Sequence, residues 1–222
     1  MDQFGGHWLV DKSLTTGIEP MLKLQGISWP LRKAATLGTT RLKIVISTDE
    51  KAGVVSSDTL YTLTGGLAGA TEKRVFDWTL QNHKDYLYGA CQYQARIVYG
   101  GLIPGILSGG AGSPENGVVE GGKEVYPEFE MQTKLDDERV RKFLRGQLFE
   151  DGTSSSWTMP EAENEGGNVW VHTFMWSLTA GWTVEQIWGF EEIAGEVYQT
   201  RRTVAADAKG QYTLGRFVFK RE

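Results

Sequence analysis

Residues 1–40 constrain the fold more than any other part of the chain. They begin with an extended segment, 4–12, and continue with two short helical patterns, 18–25 and 28–38. Apolar residues recur at three- and four-residue spacing in both patterns, and a glycine closes each of them, as is common at helix ends. From residue 39 onward most segments have the character of strands. This order predicts a pair of helices that cover one end of a β-barrel.

Strand patterns fill most of the remaining chain, and residues 182–191 show the clearest alternation of two faces. Similar β-rich patterns cover 39–48, 54–64, 67–80, 86–99, 125–133, 169–178, 195–206 and 211–221. The glycine pair at 65–66 predicts a hairpin turn. The glycine-rich residues 100–122 and the polar residues 152–167 predict loops, and residues 136–144 have helical character.

About ten strands joined in chain order, with helices after the first, predict an all-β fold. The expected architecture is an up-and-down antiparallel β-barrel with an N-terminal helix-turn-helix and a long glycine-rich loop. All-β barrels of this length are commonly one domain, so residues 1–222 are predicted to form a single domain. Eight tryptophans favour a wide aromatic interior. A barrel of about eight strands or more can enclose a small ligand.

Charge, cysteine content and motifs restrict the partners. A net charge of -5 argues against nucleic acid, and the three histidines lack the spacing of a metal site. The single cysteine, Cys91, cannot form an intrachain disulfide, and the chain shows no secretory signal pattern. No apolar run approaches the roughly 20 residues of a membrane span. Phosphate-binding loops and hydrolase motifs are absent from the sequence. We therefore expect a cytoplasmic protein with no metal and no cofactor.

Several short motifs near the N-terminus resemble the start of fatty-acid-binding proteins. They are Gly6-His7-Trp8, Lys12-Ser13, Met21-Leu22-Lys23, Gly26-Ile27 and Arg32-Lys33-Ala34-Ala35. The similarity covers residues 4–48, is weaker over the last strands, and leaves about 100–167 as an insertion. It implies a calycin barrel of about ten strands, with a helical lid and a hydrophobic ligand inside. The family's Arg-x-Tyr pair is absent here, because Val218 follows Arg216 at that spacing, which puts a simple fatty acid in doubt.

The chain is also similar, in size and general fold, to lipocalin-like proteins of fungal secondary-metabolite pathways. Some of that group are pericyclases of the hetero-Diels–Alderase type. This similarity implies a cofactor-independent cycloaddition of a hydrophobic natural product. A shaped aromatic cavity can accelerate such a reaction by orienting the reactants, and a hydrogen bond to a developing oxyanion adds to the effect. Two alternatives stay open: a carrier of a lipid or a terpenoid or polyketide ligand, and a homodimeric interaction protein.

Candidate site residues lie on the predicted strands. Gln186 lies within an aromatic face, and a buried amide without hydrogen bonds costs about 1–3 kcal/mol, so it suggests a polar ligand group. His172 and Arg202 are further candidates for catalytic hydrogen bonding. The predicted ligand-binding residues are Phe76, Trp78, Phe129, Met131, Trp170, Phe174, Trp176, Trp182, Trp188, Phe190 and Tyr198. An inward strand arginine would mark an anionic or carbonyl ligand group, and the alternation leaves open which arginine points inward.

Overall fold

The computed structural model describes residues 1–64, 67–102, 118–120, 123–158 and 168–222. The helices within these ranges are α1 (Ile18–Leu24), α2 (Trp29–Leu37) and α3 (Glu138–Leu144). The strands are β1 (Gly6–Val10), β2 (Thr40–Asp49), β3 (Val54–Leu63), β4 (Leu67–Val75), β5 (Gln81–Asp85), β6 (Gly89–Leu102), β7 (Val118–Glu120), β8 (Lys123–Pro127), β9 (Val169–Ser177), β10 (Thr183–Ile193), β11 (Glu196–Ala206) and β12 (Tyr212–Arg221).

The strands form one curled antiparallel sheet. Its order is β4-β3-β2-β1-β12-β11-β10-β9-β6-β8-β7, with β5 paired to β6. The first and last strands of the chain lie side by side, because Trp8 of β1 pairs with Arg221 of β12. Most of the other neighbouring strands in the sheet also follow one another in sequence, as in an up-and-down barrel.

A short segment after β4 brings the two sides of the curled sheet together. The amide of Phe76 donates to the carbonyl of Val55 at 2.9 Å, whereas the amide of Trp78 donates to Ala95 at 2.8 Å. The first bond belongs to the β3 side and the second to β6. Trp78 has a φ of 63°, an unusual value for a bulky residue, and this turn ends the strand.

Helix α1 packs closely on β12, and glycine permits the contact. A Cβ atom at Gly17 would lie 2.4 Å from the carbonyl oxygen of Leu214 and 2.5 Å from the Cα atom of Gly215. Gly17 also has a φ of 77°, which glycine adopts without strain. Any side chain at Gly17 would therefore push α1 away from the sheet.

The sheet is buried on both faces over strands β9 to β11. The inner face packs a core around Trp8, Leu42, Trp188 and Phe190. The outer face is covered by α3 and its flanking segments, with the cluster Val98, Val140, Phe143, Leu144, Trp157, Trp170, Ile187 and Val204. Both faces of these strands are consequently apolar.

The structure confirms the predicted fold class: a mostly β, antiparallel, calycin-like half-barrel with helices after the first strand. Several strand predictions need correction, and the sequence patterns predicted neither β5 nor β7. The predicted strand 67–80 ends at Val75 because of the turn at Trp78, and the predicted strand 125–133 ends at Pro127. The hairpin turn at 65–66, most of the glycine-rich loop and the end of the polar loop lie outside the described residues.

Candidate functional site

The half-barrel holds a cavity of about 500 Å³ beneath α1 and α2. This volume is within the range of small-molecule sites. Its wall residues include Met21, Leu22, Leu31, Ala34, Ala35, Leu42, Tyr61, Glu72, Arg74, Thr173, Met175, Val184, Gln186, Arg201, Thr203, Phe217 and Phe219. Helix α2 lies over the cavity but buries no residue, so the lid gains little stability from packing.

Four polar side chains form the inner polar cluster: Tyr61, Glu72, Arg74 and Arg201. The Tyr61 hydroxyl donates to Oε2 of Glu72 at 3.1 Å, and Arg74 Nη1 donates to the same oxygen. Glu72 and Arg74 are two residues apart on β4, so they share its inward face. Arg201 reaches the cluster from β11 on the other side of the cavity.

The inner polar cluster carries two guanidinium groups and one carboxylate. Burial would raise the pKa of Glu72, but Arg74 and Arg201 outweigh it and hold that pKa below its ordinary value. Burial lowers the pKa of Arg201, and the Arg74 charge lowers it further. With two cations and one anion, the cluster therefore carries a net charge of +1. Lys12 and Asp85, which also line the cavity, add one charge of each sign.

Aromatic rings hold the Arg201 guanidinium in place. Its carbon lies 3.8 Å from the ring centroid of Trp188 and 4.7 Å from that of Phe219. The Nε atom is buried and has no hydrogen-bond partner among the described residues. Ring faces attract a guanidinium cation but leave its in-plane N–H groups unsatisfied. The Nη2 atom donates to Oε1 of Gln199 at 3.4 Å, so protein acceptors satisfy the Arg201 guanidinium only in part.

Five of the predicted site residues lie on the inner side of the sheet. Gln186 lines the cavity. Phe76, Trp188 and Phe190 belong to the core at its closed end, and Trp182 packs with Met21 near the helices. Their roles toward a ligand stay predictions.

The other predicted site residues lie elsewhere, so their assignment to the barrel interior is corrected. Phe129 and Met131 line a separate outer groove of about 530 Å³ beside α3. Trp78 stacks on His172, outside the barrel. Trp170, His172, Phe174, Trp176, Tyr198 and Arg202 occupy the outward-facing positions of β9 and β11. The sequence pattern placed these residues inside because the covering segments make the outer face of the sheet as apolar as the inner face.

His172 is the centre of a buried outer clasp. Its ring lies between Trp78 and Phe129, with centroid distances of 4.9 and 4.8 Å. Arg96 Nε donates to His172 Nδ1 at 3.1 Å, and His172 Nε2 donates to Glu185 Oε1 at 2.8 Å. Since Nδ1 accepts a hydrogen bond, the imidazole is neutral.

Glu185 connects this clasp to the covering segment. Its carboxylate accepts from the amide of Gln132 at 2.9 Å and from the amide of Thr133 at 2.7 Å. The clasp therefore fastens residues 128–135 to the barrel wall. Nothing in it faces the cavity, so we assign it a structural role.

The neutral state of His172 predicts a pH dependence of stability. Burial lowers the pKa of His172 below its ordinary value, so the unfolded chain binds this proton at a higher pH than the folded protein does. The stability contribution is thus complete above about pH 6.5 and is lost as the pH falls through the folded-state pKa, by at most about 1.4 kcal/mol per pH unit. Urea unfolding at pH 7.5 and pH 5.5 would measure it. His172→Gln, which can keep both hydrogen bonds, should show a smaller pH difference, and an equal difference would contradict the account.

Arg202 anchors a second part of the covering segment. Its guanidinium donates to Glu191 Oε1 at 2.9 Å and to Ser155 Oγ at 2.7 Å. It also donates to the carbonyls of Phe143 and Leu148. Arg216 completes the cluster by donating to Glu191 Oε2 at 2.7 Å. Arg202 is fully engaged and is turned away from the cavity.

Sequence reasoning missed the inner polar cluster as a unit. Arg201 and Arg202 are adjacent on β11, and both are almost fully buried, so alternation alone could not separate them. One signal was present: Glu72 and Arg74 share a face of one strand, as an inward ion pair would require.

Taken together, the sheet order, the helix pair and the cavity beneath the helices define a calycin-like antiparallel half-barrel. No family model matches the chain, and no curated protein does. The fluorescent protein UnaG is a similar solved structure, with 9% identity, a TM-score of 0.47 and coverage of 100% of this chain and 98% of UnaG. A point mutant of UnaG matches with 9% identity, a TM-score of 0.34 and coverage of 99% and 96%.

Among the described residues, no helix has both the length and the apolar character of a membrane span. The described side chains include no group of three or more metal-binding residues placed to hold an ion.

Proposed function

We propose that this protein binds an amphipathic small molecule in the half-barrel cavity, with an anionic or carbonyl oxygen of the ligand against Arg201. The observation that carries this proposal is the charge of the inner polar cluster in the cavity wall, where two guanidinium groups, Arg74 and Arg201, accompany one carboxylate, Glu72. A buried charge is costly unless it is paired. An anionic or carbonyl oxygen of the ligand would supply Arg201 with an acceptor from the cavity side.

The charge of the inner polar cluster supports an anionic group. Glu72 accepts hydrogen bonds from Arg74 and Tyr61, and this one carboxylate cannot balance the charges of two guanidinium groups. A carboxylate can accept two parallel hydrogen bonds from one guanidinium, which is the strongest geometry available to this pair. The uncompensated positive charge therefore favours an acid over a neutral molecule.

The remaining wall supports a hydrophobic ligand body. Between the inner polar cluster and the helices, the cavity is lined mostly by apolar side chains, among them Met175, Val184, Leu31 and Phe217. Burying apolar ligand surface against them contributes about 25 cal/mol per Å². The ligand would enter past α2 with its polar end first.

A series of ligands with one chain and different end groups tests this function. Calorimetric titration should show dodecanoic acid binding about 10-fold or more tightly than dodecanol, and dodecylamine binding worst. Burial of the same chain is common to all three, so the differences report the end group. Equal affinities would contradict the assignment of Arg201, and no binding by any member would contradict the proposed function itself.

The second candidate function is catalysis of a hetero-Diels–Alder-type cycloaddition in the same cavity. It is favoured by the placement of Arg201 beside the aromatic rings of Trp188 and Phe219. A heterodiene could lie against Phe217 and Phe219, which line the cavity, while its oxygen, which gains negative charge in the transition state, accepts from Arg201. Orientation in the cavity would supply the rest of the acceleration.

Turnover separates this candidate from a carrier. Incubation with a quinone-methide-type heterodiene and a hydrophobic alkene should give product faster than background, with one stereoisomer enriched. Arg201→Met should remove most of the acceleration. Binding of the heterodiene without acceleration would leave the carrier function.

A cytoplasmic location and a homodimer stay predictions.

A further inference from the structure

A second group of polar side chains crosses the cavity wall between the inner polar cluster and the helices. Thr173 of β9, Gln186 of β10 and Thr203 of β11 all line the cavity. They are also direct neighbours in the sheet, because Gln186 pairs with Thr173 on one side and with Thr203 on the other. We call these three residues the polar stripe.

Trp188 fixes how Gln186 presents its amide group. The indole Nε1 of Trp188 donates to Oε1 of Gln186 at 3.0 Å. An indole N–H can only donate, so the amide oxygen must face Trp188 and the NH2 group must point away from it. Among the described residues this NH2 group has no hydrogen-bond partner, and the side chain is only half-buried because it borders the cavity.

The polar stripe is close to Arg201 but separate from it. Trp188 pairs with Arg201 across β10 and β11, whereas Gln186 pairs with Thr203. Gln186 and Arg201 are therefore diagonal neighbours on the inner face, with Cα atoms about 7–8 Å apart. A ligand whose polar end reaches Arg201 would pass its middle portion along the polar stripe.

We propose that Gln186 is a specificity-determining residue that selects ligands with a second acceptor oxygen in their hydrophobic body. This inference rests on the proposed function and names the ligand class more closely: an amphipathic acid that also carries a ketone, ester or quinone-type carbonyl. The carbonyl accepts from the Gln186 NH2 group, and the hydroxyls of Thr173 and Thr203 lie beside it. A plain hydrocarbon chain would leave this donor unpaired, so the site discriminates against it.

The test uses a series of oxo-dodecanoic acids in which the carbonyl is moved along the chain, with dodecanoic acid as the reference. In the unchanged protein, one or two carbonyl positions should bind about 3- to 10-fold more tightly than the reference acid. The other positions should bind more weakly than the reference, because they bury a carbonyl without a donor.

Variants assign the preference to the polar stripe. Gln186→Leu should bring the ratio of the two affinities to about 1 or below, while the reference acid still binds. Since this change also leaves the Trp188 indole without its acceptor, Thr173→Val provides a second variant that keeps that bond, and it should reduce the same ratio. Thr200→Val, the same exchange on the outward face of β11 and away from the cavity, should leave the ratio unchanged.

The outcomes separate the two proposals. If dodecanoic acid binds but no carbonyl position is preferred, or if Gln186→Leu keeps the preference, the role of Gln186 is wrong and the proposed function stands. If no acid of the series binds, the proposed function fails and this inference fails with it.

Discussion

Arg202→Met is expected to lower the free energy of unfolding by about 3–5 kcal/mol, the usual cost of removing one partner from a buried ion pair. The change leaves Glu191 buried with one of its two cations gone. It also removes the donor to Ser155 and to two carbonyls of the covering segment. Methionine replaces the volume but none of these hydrogen bonds.

Chemical unfolding measures this effect, and an exposed ion pair provides the control. Arg41 pairs with Glu222 at 2.9 Å, but the Arg41 side chain is 56% exposed. Arg41→Met should therefore change the unfolding free energy by less than about 1 kcal/mol. A loss at Arg202 no greater than that at Arg41 would mean that the covering segment is not anchored by this cluster.

Arg201→Met is expected to have opposite effects on stability and on binding. Without ligand, the variant should be more stable, because an apolar side chain of similar volume replaces a buried cation that lacks a carboxylate of its own. The affinity for dodecanoic acid should fall by about 10- to 100-fold, since a charge-assisted hydrogen bond is worth about 1.5–3 kcal/mol. A gain in stability without ligand, together with a loss of affinity, would identify Arg201 as a ligand-binding residue.

Arg74→Met is the matched control for this prediction. It also removes one guanidinium from the inner polar cluster, but it takes away the nearest partner of Glu72. Arg74→Met should therefore destabilise the protein where Arg201→Met stabilises it. If both changes destabilise the protein equally, Arg201 is a structural residue and the ligand proposal loses its basis.

The helices and the strand order could be predicted from the sequence because they follow from local patterns. The glycines and apolar spacing near the N-terminus place α1 and α2 within a residue or two of their observed ends. The alternation along 182–191 correctly groups the residues of one face of β10. These patterns depend on neighbours in the chain and need no tertiary information.

Which face points inward could not be predicted, and the reason is physical. On β9, Trp170 and Val171 are both fully buried, although they point in opposite directions. The outer face is buried because the covering segment around α3 lies on it. Alternation of apolar and polar residues distinguishes a solvent-exposed face from a buried face, so it is not informative where both faces are buried. The adjacent Arg201 and Arg202 show the same ambiguity.

The most direct measurement of the central claim is a crystal structure of the protein with dodecanoic acid bound. We expect the acid inside the half-barrel, with a carboxylate oxygen about 2.7–2.9 Å from a guanidinium nitrogen of Arg201. The chain should run along the polar stripe toward α2. An acid bound outside the cavity, or inside it with the carboxylate at the helices and away from Arg201, would contradict the assignment.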